Sequence, residues 1–129
     1  MHKNKSYKLD KTGNSDAIYL TSKFQIKKRD ISYLKRQGKK KNTIRLCLHK
    51  NENSNLHCML LYLAKNNNNS IHSHKVNDEV YILIEGRLRI KVFNNKKKLK
   101  EILTLDKKNP VYFMSKKKIH LTESLTNHS

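Results

Sequence analysis

Two histidines, a glutamate and a glycine stand at a spacing that suits metal chemistry. His72 and His74 are separated by one residue, Glu79 follows five residues after His74, and Gly86 follows seven residues after Glu79. Side chains alternate along a strand with a period of two, so the two imidazoles of an extended segment point the same way. A carboxylate that follows closely can complete a face of three ligands. Such a set without thiolate suits a borderline divalent ion, that is iron(II), manganese, nickel, cobalt or zinc, and His120 offers a fourth ligand.

This spacing resembles the first motif of the cupin superfamily, which runs Gly, five residues, His-x-His, three or four residues, Glu, six residues, Gly. Residues 72–86 fit it, while Asn66 stands where the first Gly is expected. The second cupin motif, Pro-x-Gly, two residues, His, is degraded, because Ser115 replaces the Pro and Lys117 replaces the Gly. His120 remains at the position of the fourth ligand.

A narrower resemblance covers residues from about 30 to 123 and is to the WbuC-type cupin fold metalloproteins. It is carried by residues 45–49, 58–61 and 80–86 together with the His-x-His segment. The resemblance implies an all-β fold, a cupin-type double-stranded β-helix or jelly-roll barrel. Genes of that family lie among those for O-antigen and other surface-polysaccharide synthesis, and their reaction is not established. The chain stops nine residues after His120, before the further C-terminal strand of that family, so we expect a barrel that is open at this edge or completed by a neighbouring subunit.

The rest of the chain divides into a basic arm and a β-rich part. Residues 1–41 are polar and Lys-rich, which predicts an arm with a short helix at about 30–38, where Asp30 is the N-cap and Gly38 the stop. In residues 42–129, short apolar runs between Asn- and Lys-rich turns predict the barrel. The predicted strands are 43–49, 57–64, 70–74, 79–84, 87–93, 100–105, 111–114 and 119–122. Residues 80–84 are apolar throughout, so both faces of this strand need cover, from an oligomer interface or from the arm.

In a cupin-like barrel, His72, His74, Glu79 and His120 would converge on one ion and leave one or two positions for water or substrate. An incomplete shell is typical of a catalytic metal site. The ion could polarise a carbonyl, hold an enediolate, lower the pKa of bound water or bind dioxygen, and the sequence does not choose among these.

Three further residues are candidates for the same site. Tyr81 lies two residues after Glu79 and therefore faces the same side of the strand, where it could act as a hydrogen-bond donor or acid-base group, although core packing is its more ordinary role. Arg45 and His49 lie on one face of the first predicted strand and could bind an anionic substrate such as a sugar phosphate, a nucleotide sugar or a carboxylate. The alternative is that both face solvent.

The charge of the chain indicates a coding bias more than a nucleic-acid partner. The formal net charge is +19, but only five of the 29 basic residues are Arg, and they accompany 15 Asn. An AT-rich coding sequence favours Lys and Asn, whereas base recognition and bidentate phosphate contacts favour Arg. We therefore expect no specific nucleic-acid partner. No run of about 18 apolar residues and no secretory leader are present, which predicts a cytoplasmic protein without membrane insertion.

The function expected from the sequence is that of a divalent-metal-binding cupin acting on a small anionic or carbohydrate-derived substrate. Isomerase, epimerase, lyase and oxygenase chemistry all stay open, and so does whether the chain is an enzyme at all. The alternatives are a non-catalytic cupin module that binds a sugar or a metal and a basic nucleic-acid-binding protein. Cupins commonly dimerise, and the apolar strand at 80–84 fits a homodimer.

Overall fold

The computed structural model of the protein describes residues 7–10, 16–20, 25–51, 53–67 and 70–129. Nine strands and one helix lie in these ranges, which confirms the predicted all-β class. In chain order they are β1 (Tyr7–Asp10), β2 (Asp16–Leu20), α1 (Lys28–Lys41), β3 (Thr43–Cys47), β4 (Met59–Leu63), β5 (Glu79–Ile82), β6 (Leu88–Phe93), β7 (Leu99–Leu105), β8 (Val111–Met114) and β9 (Ile119–Ser124). The chain forms two compact units, Met1–Tyr62 and Leu63–Ser129. The predicted division into an arm at 1–41 and a barrel at 42–129 stays a prediction.

The first unit is built on a four-stranded sheet in the order β1-β2-β3-β4. Two of its strands, β1 and β2, come from the segment predicted as a basic arm. Strand β2 runs parallel to β3, with Ile18 opposite Leu46, and both of these side chains are buried. The short apolar patch that begins at Ala17 is therefore part of a sheet, because its backbone hydrogen bonds are satisfied by a neighbouring strand.

Helix α1 confirms the predicted helix but is longer at both ends. Its N-cap is Lys27, and the carboxylate of Asp30, in the first turn, accepts the Lys27 backbone N–H at 2.8 Å. Asp30 therefore satisfies a free amide from inside the helix, and the prediction that it is the N-cap is wrong. Gly38 lies within the helix, and the chain leaves it at Asn42, whose φ is 65° and whose N–H donates to the Gly38 carbonyl at 2.8 Å. The predicted stop at Gly38 is also wrong, because Asn supplies the left-handed residue that ends the helix.

The second unit contains the β5-β8 pair and a three-stranded sheet in the order β7-β6-β9. The predicted alternation along β6 is confirmed, since Leu88, Ile90 and Val92 are buried while Arg89 and Lys91 are more exposed. The core cluster consists of Leu63, Leu88, Ile90, Val92, Leu105 and Met114. Three of these residues lie on β6, the strand that pairs with β9.

Three further hydrogen-bonded connections complete the second unit. The strand predicted at 70–74 is reduced to one bridge, in which His72 and His120 exchange backbone hydrogen bonds of 3.1 and 2.9 Å. Leu63 and Ser129 exchange another pair, at 2.9 and 3.0 Å, and the Lys65 N–H donates to the Asn127 carbonyl at 3.2 Å. The last residues of the chain therefore lie along the segment that follows β4.

Candidate metal centre

Four predicted ligands from three segments of the second unit meet at one place. His72 and His74 precede β5, Glu79 is the first residue of β5, and His120 is the second residue of β9. The backbone bridge between His72 and His120 joins two of these segments directly. On β9, His120 lies opposite Val92 of β6, so its side chain turns towards the core, where the residue is 1% exposed.

The three imidazoles are close enough to share one ion. One ring nitrogen from each of His72, His74 and His120 can be chosen so that all lie within 4.8 Å of one another. The Glu79 carboxylate lies between two of these rings, with Oε1 3.1 Å from Nε2 of His74 and Oε2 3.1 Å from Nε2 of His120. The structure thus brings together all four side chains that the sequence predicted as ligands.

Backbone carbonyls fix the orientation of two of the rings. Nδ1 of His72 lies 2.7 Å from the Ser70 carbonyl, and Nδ1 of His120 lies 2.9 Å from the Lys118 carbonyl. A carbonyl oxygen only accepts, so Nδ1 carries a proton in both rings, and Nε2 is the nitrogen left with a lone pair in the neutral form. Metal-binding histidines are usually held in this way, by a partner on the nitrogen that does not face the ion.

Tyr81 also belongs to this cluster. Its hydroxyl lies 3.2 Å from Oε2 of Glu79 and 3.0 Å from Nε2 of His120. Burial, followed by the charge of Glu79 and the hydrogen bond to it, raises the pKa of Tyr81 well above its ordinary value. The phenol is therefore protonated at neutral pH and acts as a hydrogen-bond donor.

The electrostatics of the site favour a charged Glu79 carboxylate next to a protonated His120 imidazole. Burial alone would raise the pKa of Glu79, but the hydrogen bond from His120 and the charges of His74 and His120 outweigh it and lower that pKa. Burial likewise opposes protonation of His120, yet the bonds to Glu79 and to the Lys118 carbonyl raise its pKa overall. Glu79 is thus available as an anionic ligand, and a cation that binds Nε2 of His120 must displace the proton held there.

Arg45 and His49 lie in the first unit, on and just after β3. His49 is 8% exposed, so the alternative that it faces solvent is wrong for this residue. Its ring stacks on His57 at a centroid distance of 4.4 Å, and its Nδ1 lies 3.1 Å from the Cys58 carbonyl. Burial first, and then the charges of His57 and Arg45, lower the pKa of His49. The substrate-binding role of both residues stays a prediction.

Two supporting residues of the site were not identified from the sequence. Ser70 and Lys118 contribute only their backbone carbonyls, and every residue has such a carbonyl, so no residue type marks them. Each lies two residues before the histidine that it orients. This recurring spacing is the pattern that could have suggested them.

Comparison with known proteins places the chain in a family without assigning it a function. No curated protein matches it. Within the described ranges, no helix combines the length and the apolar character that crossing a membrane requires. The residues matched by the family, 26–105, include His72, His74, Glu79 and Tyr81 and stop before His120. The chain belongs to the family described as Domain of unknown function (DUF6016).

Proposed function

We propose that this protein is a divalent-metal-binding protein of the cupin type, with His72, His74, Glu79 and His120 as the ligands of one ion. The observation that carries the proposal is the convergence of three imidazoles, two of which lie 3.1 Å from the Glu79 carboxylate. This donor set suits iron(II), manganese, nickel, cobalt or zinc. Four protein ligands leave one or two coordination positions for water or substrate when the ion takes five or six ligands.

The strand pairing supports a jelly-roll barrel as the finer description of the fold. The His72 segment, β9, β6 and β7 follow one another through hydrogen bonds, and β5 pairs with β8. Residues 63–65 pair with residues 124–129. A jelly roll is made of two such antiparallel sheets with the site between them.

The chemistry that we propose acts on a small anionic or carbohydrate-derived substrate. A bound divalent ion would supply Lewis-acid polarisation of a substrate oxygen. Tyr81, protonated and 3.0 Å from Nε2 of His120, would donate a hydrogen bond to an oxygen of a substrate held beside this ring. The link to surface-polysaccharide synthesis comes from the resemblance to WbuC-type proteins, and with it isomerase, epimerase, lyase and oxygenase reactions as classes to assay.

We also propose that two copies of the chain associate through the outer face of the β5-β8 pair. Five large apolar side chains there are between 57% and 68% exposed: Val80, Ile82, Ile84, Val111 and Phe113. Val80 lies opposite Phe113 and Ile82 opposite Val111, so four of the five share one face of the pair. Together they expose roughly 500 Å², a large apolar patch for a monomer. Two such patches packed face to face would bury about 1,000 Å², the lower bound for a stable interface.

Metal content tests the central part of the proposal. Protein purified without chelators and dialysed against Co²⁺ or Zn²⁺ is expected to retain about one ion per chain, measured by elemental analysis. The double variant His72→Ala/His74→Ala should retain much less. The control is His128→Ala, which removes a histidine of the same unit that contacts Glu85 and is not one of the proposed ligands. Equal metal content in all three proteins, or none in the wild type, would contradict the proposal.

Turnover separates an enzyme from a binding module. We expect the metal-loaded protein to convert a member of a panel of sugar phosphates and nucleotide sugars, and Glu79→Gln to abolish that conversion. Retention of one ion per chain without turnover of any panel member would favour the non-catalytic alternative.

A further inference from the structure

A cavity of about 300 Å³ lies at one end of the β7-β6-β9 sheet, outside the metal centre. This volume is at the lower end of the range for small-molecule sites. Its lining includes three basic residues, one acidic residue and three apolar residues: Lys100, Lys117, Lys118, Glu101, Val92, Phe93 and Ile119. The ionisable groups among them sum to a net charge of +2, three lysines less one glutamate.

A β-bulge brings one of these lysines out of the regular strand pattern. Val92 of β6 lies opposite Glu101 of β7, but the next residue, Phe93, lies opposite Leu99. Lys100 is therefore an extra residue on β7 without a partner position on β6. A bulge of this kind bends the strand and redirects a side chain, and bulges are frequent beside binding sites.

Hydrogen bonds stabilise each of the two turns at the cavity. In the turn after β6, Oδ1 of Asn94 accepts the backbone N–H groups of Lys96 and Lys98 at 3.0 and 2.9 Å. In the turn before β9, Lys117 has a φ of 68°, which is uncommon for a residue other than glycine. Its N–H donates to the His74 carbonyl at 2.7 Å. The backbone of both turns is thus held by hydrogen bonds, which lowers the entropy cost of ordering these segments around a ligand.

We propose that this cavity binds the phosphate group of a small molecule. Lysine ammonium groups bind phosphate oxygens as point charges, and a local charge of +2 matches a phosphate monoester or diphosphate. Phe93 and Ile119 add apolar contacts for the organic part of the ligand. The backbone of a nucleic acid carries the same phosphate chemistry, but a cavity of only about 300 Å³ fits a small ester better than a polymer. The proposal does not depend on a metal at the histidine cluster.

An NMR titration of the full chain with inorganic pyrophosphate, at 150 mM NaCl, tests the proposal. We expect saturable shifts of the amides of residues 93–95, 100–101 and 117–119. The variant Lys117→Gln/Lys118→Gln should bind at least about tenfold more weakly, because it removes two of the three lysines that line the cavity. The matched control is Lys107→Gln/Lys108→Gln, which removes the same charge from two exposed, consecutive lysines of another turn and should change Kd by less than about twofold.

Three results would overturn the proposal. One is the absence of saturable shifts at the cavity, and another is an equal loss of affinity in both lysine pairs, which would show that only the net charge matters. The third is that an oligo(dT) of eight nucleotides binds at the same amides more tightly than pyrophosphate does, which would assign the site to nucleic acid. The spectra also report folding, and if the Lys117→Gln/Lys118→Gln variant does not fold, Lys100→Gln takes its place with the same expected direction.

Discussion

Binding of a divalent ion at the histidine cluster should raise the thermal stability of the protein. At a free metal concentration 100 times Kd, binding to the folded state adds about 2.7 kcal/mol to the free energy of unfolding. For a chain of 129 residues, each 1 kcal/mol raises Tm by roughly 4 °C. The wild type should therefore gain roughly 10 °C when it is titrated with Co²⁺ or Zn²⁺ in chelator-free buffer and followed by calorimetry.

The variant His72→Ala should lose most of this gain. His72 is half-buried and its side chain donates to the Ser70 carbonyl, so its removal disturbs the metal-free fold less than removal of the fully buried His120. Loss of a residue that only supports a ligand weakens metal binding 10–100-fold. Loss of a ligand itself should weaken metal binding at least about 100-fold. The same free metal concentration then equals Kd and adds only about 0.4 kcal/mol, a rise of roughly 2 °C.

The control for this experiment is His128→Ala, which should keep the full metal-induced rise in Tm. A full rise in His72→Ala would contradict the proposed ligand set, because the ion would then be held without that ring. No rise in the wild type at any metal concentration would refute it as well.

Three further predictions concern other parts of the molecule. Gly38→Ala should lower the free energy of unfolding, measured in urea, by about 1–2 kcal/mol, because the added methyl would overlap the Tyr62 ring. This loss is expected although Ala favours helix more than Gly does. An unchanged or higher free energy of unfolding would contradict this contact. In His49→Asn, the free energy of unfolding should fall less steeply than in the wild type as the pH drops below 6.5. The pKa of His49 is lowered from 6.5 in the folded state, so the unfolded chain takes up the proton first and acid favours unfolding. Equal pH profiles of variant and wild type would count against this prediction. Ile82→Lys should shift a dimer to monomer in sedimentation velocity, whereas a wild type that is already monomeric would exclude the proposed interface.

Features encoded by local pattern could be predicted from the sequence. The alternation of Leu88, Ile90 and Val92 with charged residues placed β6 and its buried face correctly, because a half-buried strand needs only its own period of two. The strand at 111–114 was predicted with the bounds that the structure has. The metal candidates were also predictable, since ligand chemistry limits them to a few residue types at a recognisable spacing.

Features that depend on contacts between distant residues could not be predicted in this way. The ring of Tyr62 lies against Gly38, so the glycine serves close packing inside the helix, and nothing in its local sequence distinguishes it from a helix stop. The parallel pairing of β2 with β3 requires a partner that lies beyond a helix. The bulge at Lys100 arises only from the register of two strands, which the sequence of either strand alone does not contain.

Anomalous diffraction from a crystal of the Co²⁺-loaded protein is the most direct test of the metal centre. One strong peak is expected at about 2.0–2.3 Å from imidazole nitrogens of His72, His74 and His120 and from a carboxylate oxygen of Glu79. A crystal in which the ion is bound elsewhere, or in which the four side chains keep their mutual contacts and no peak lies among them, would contradict it.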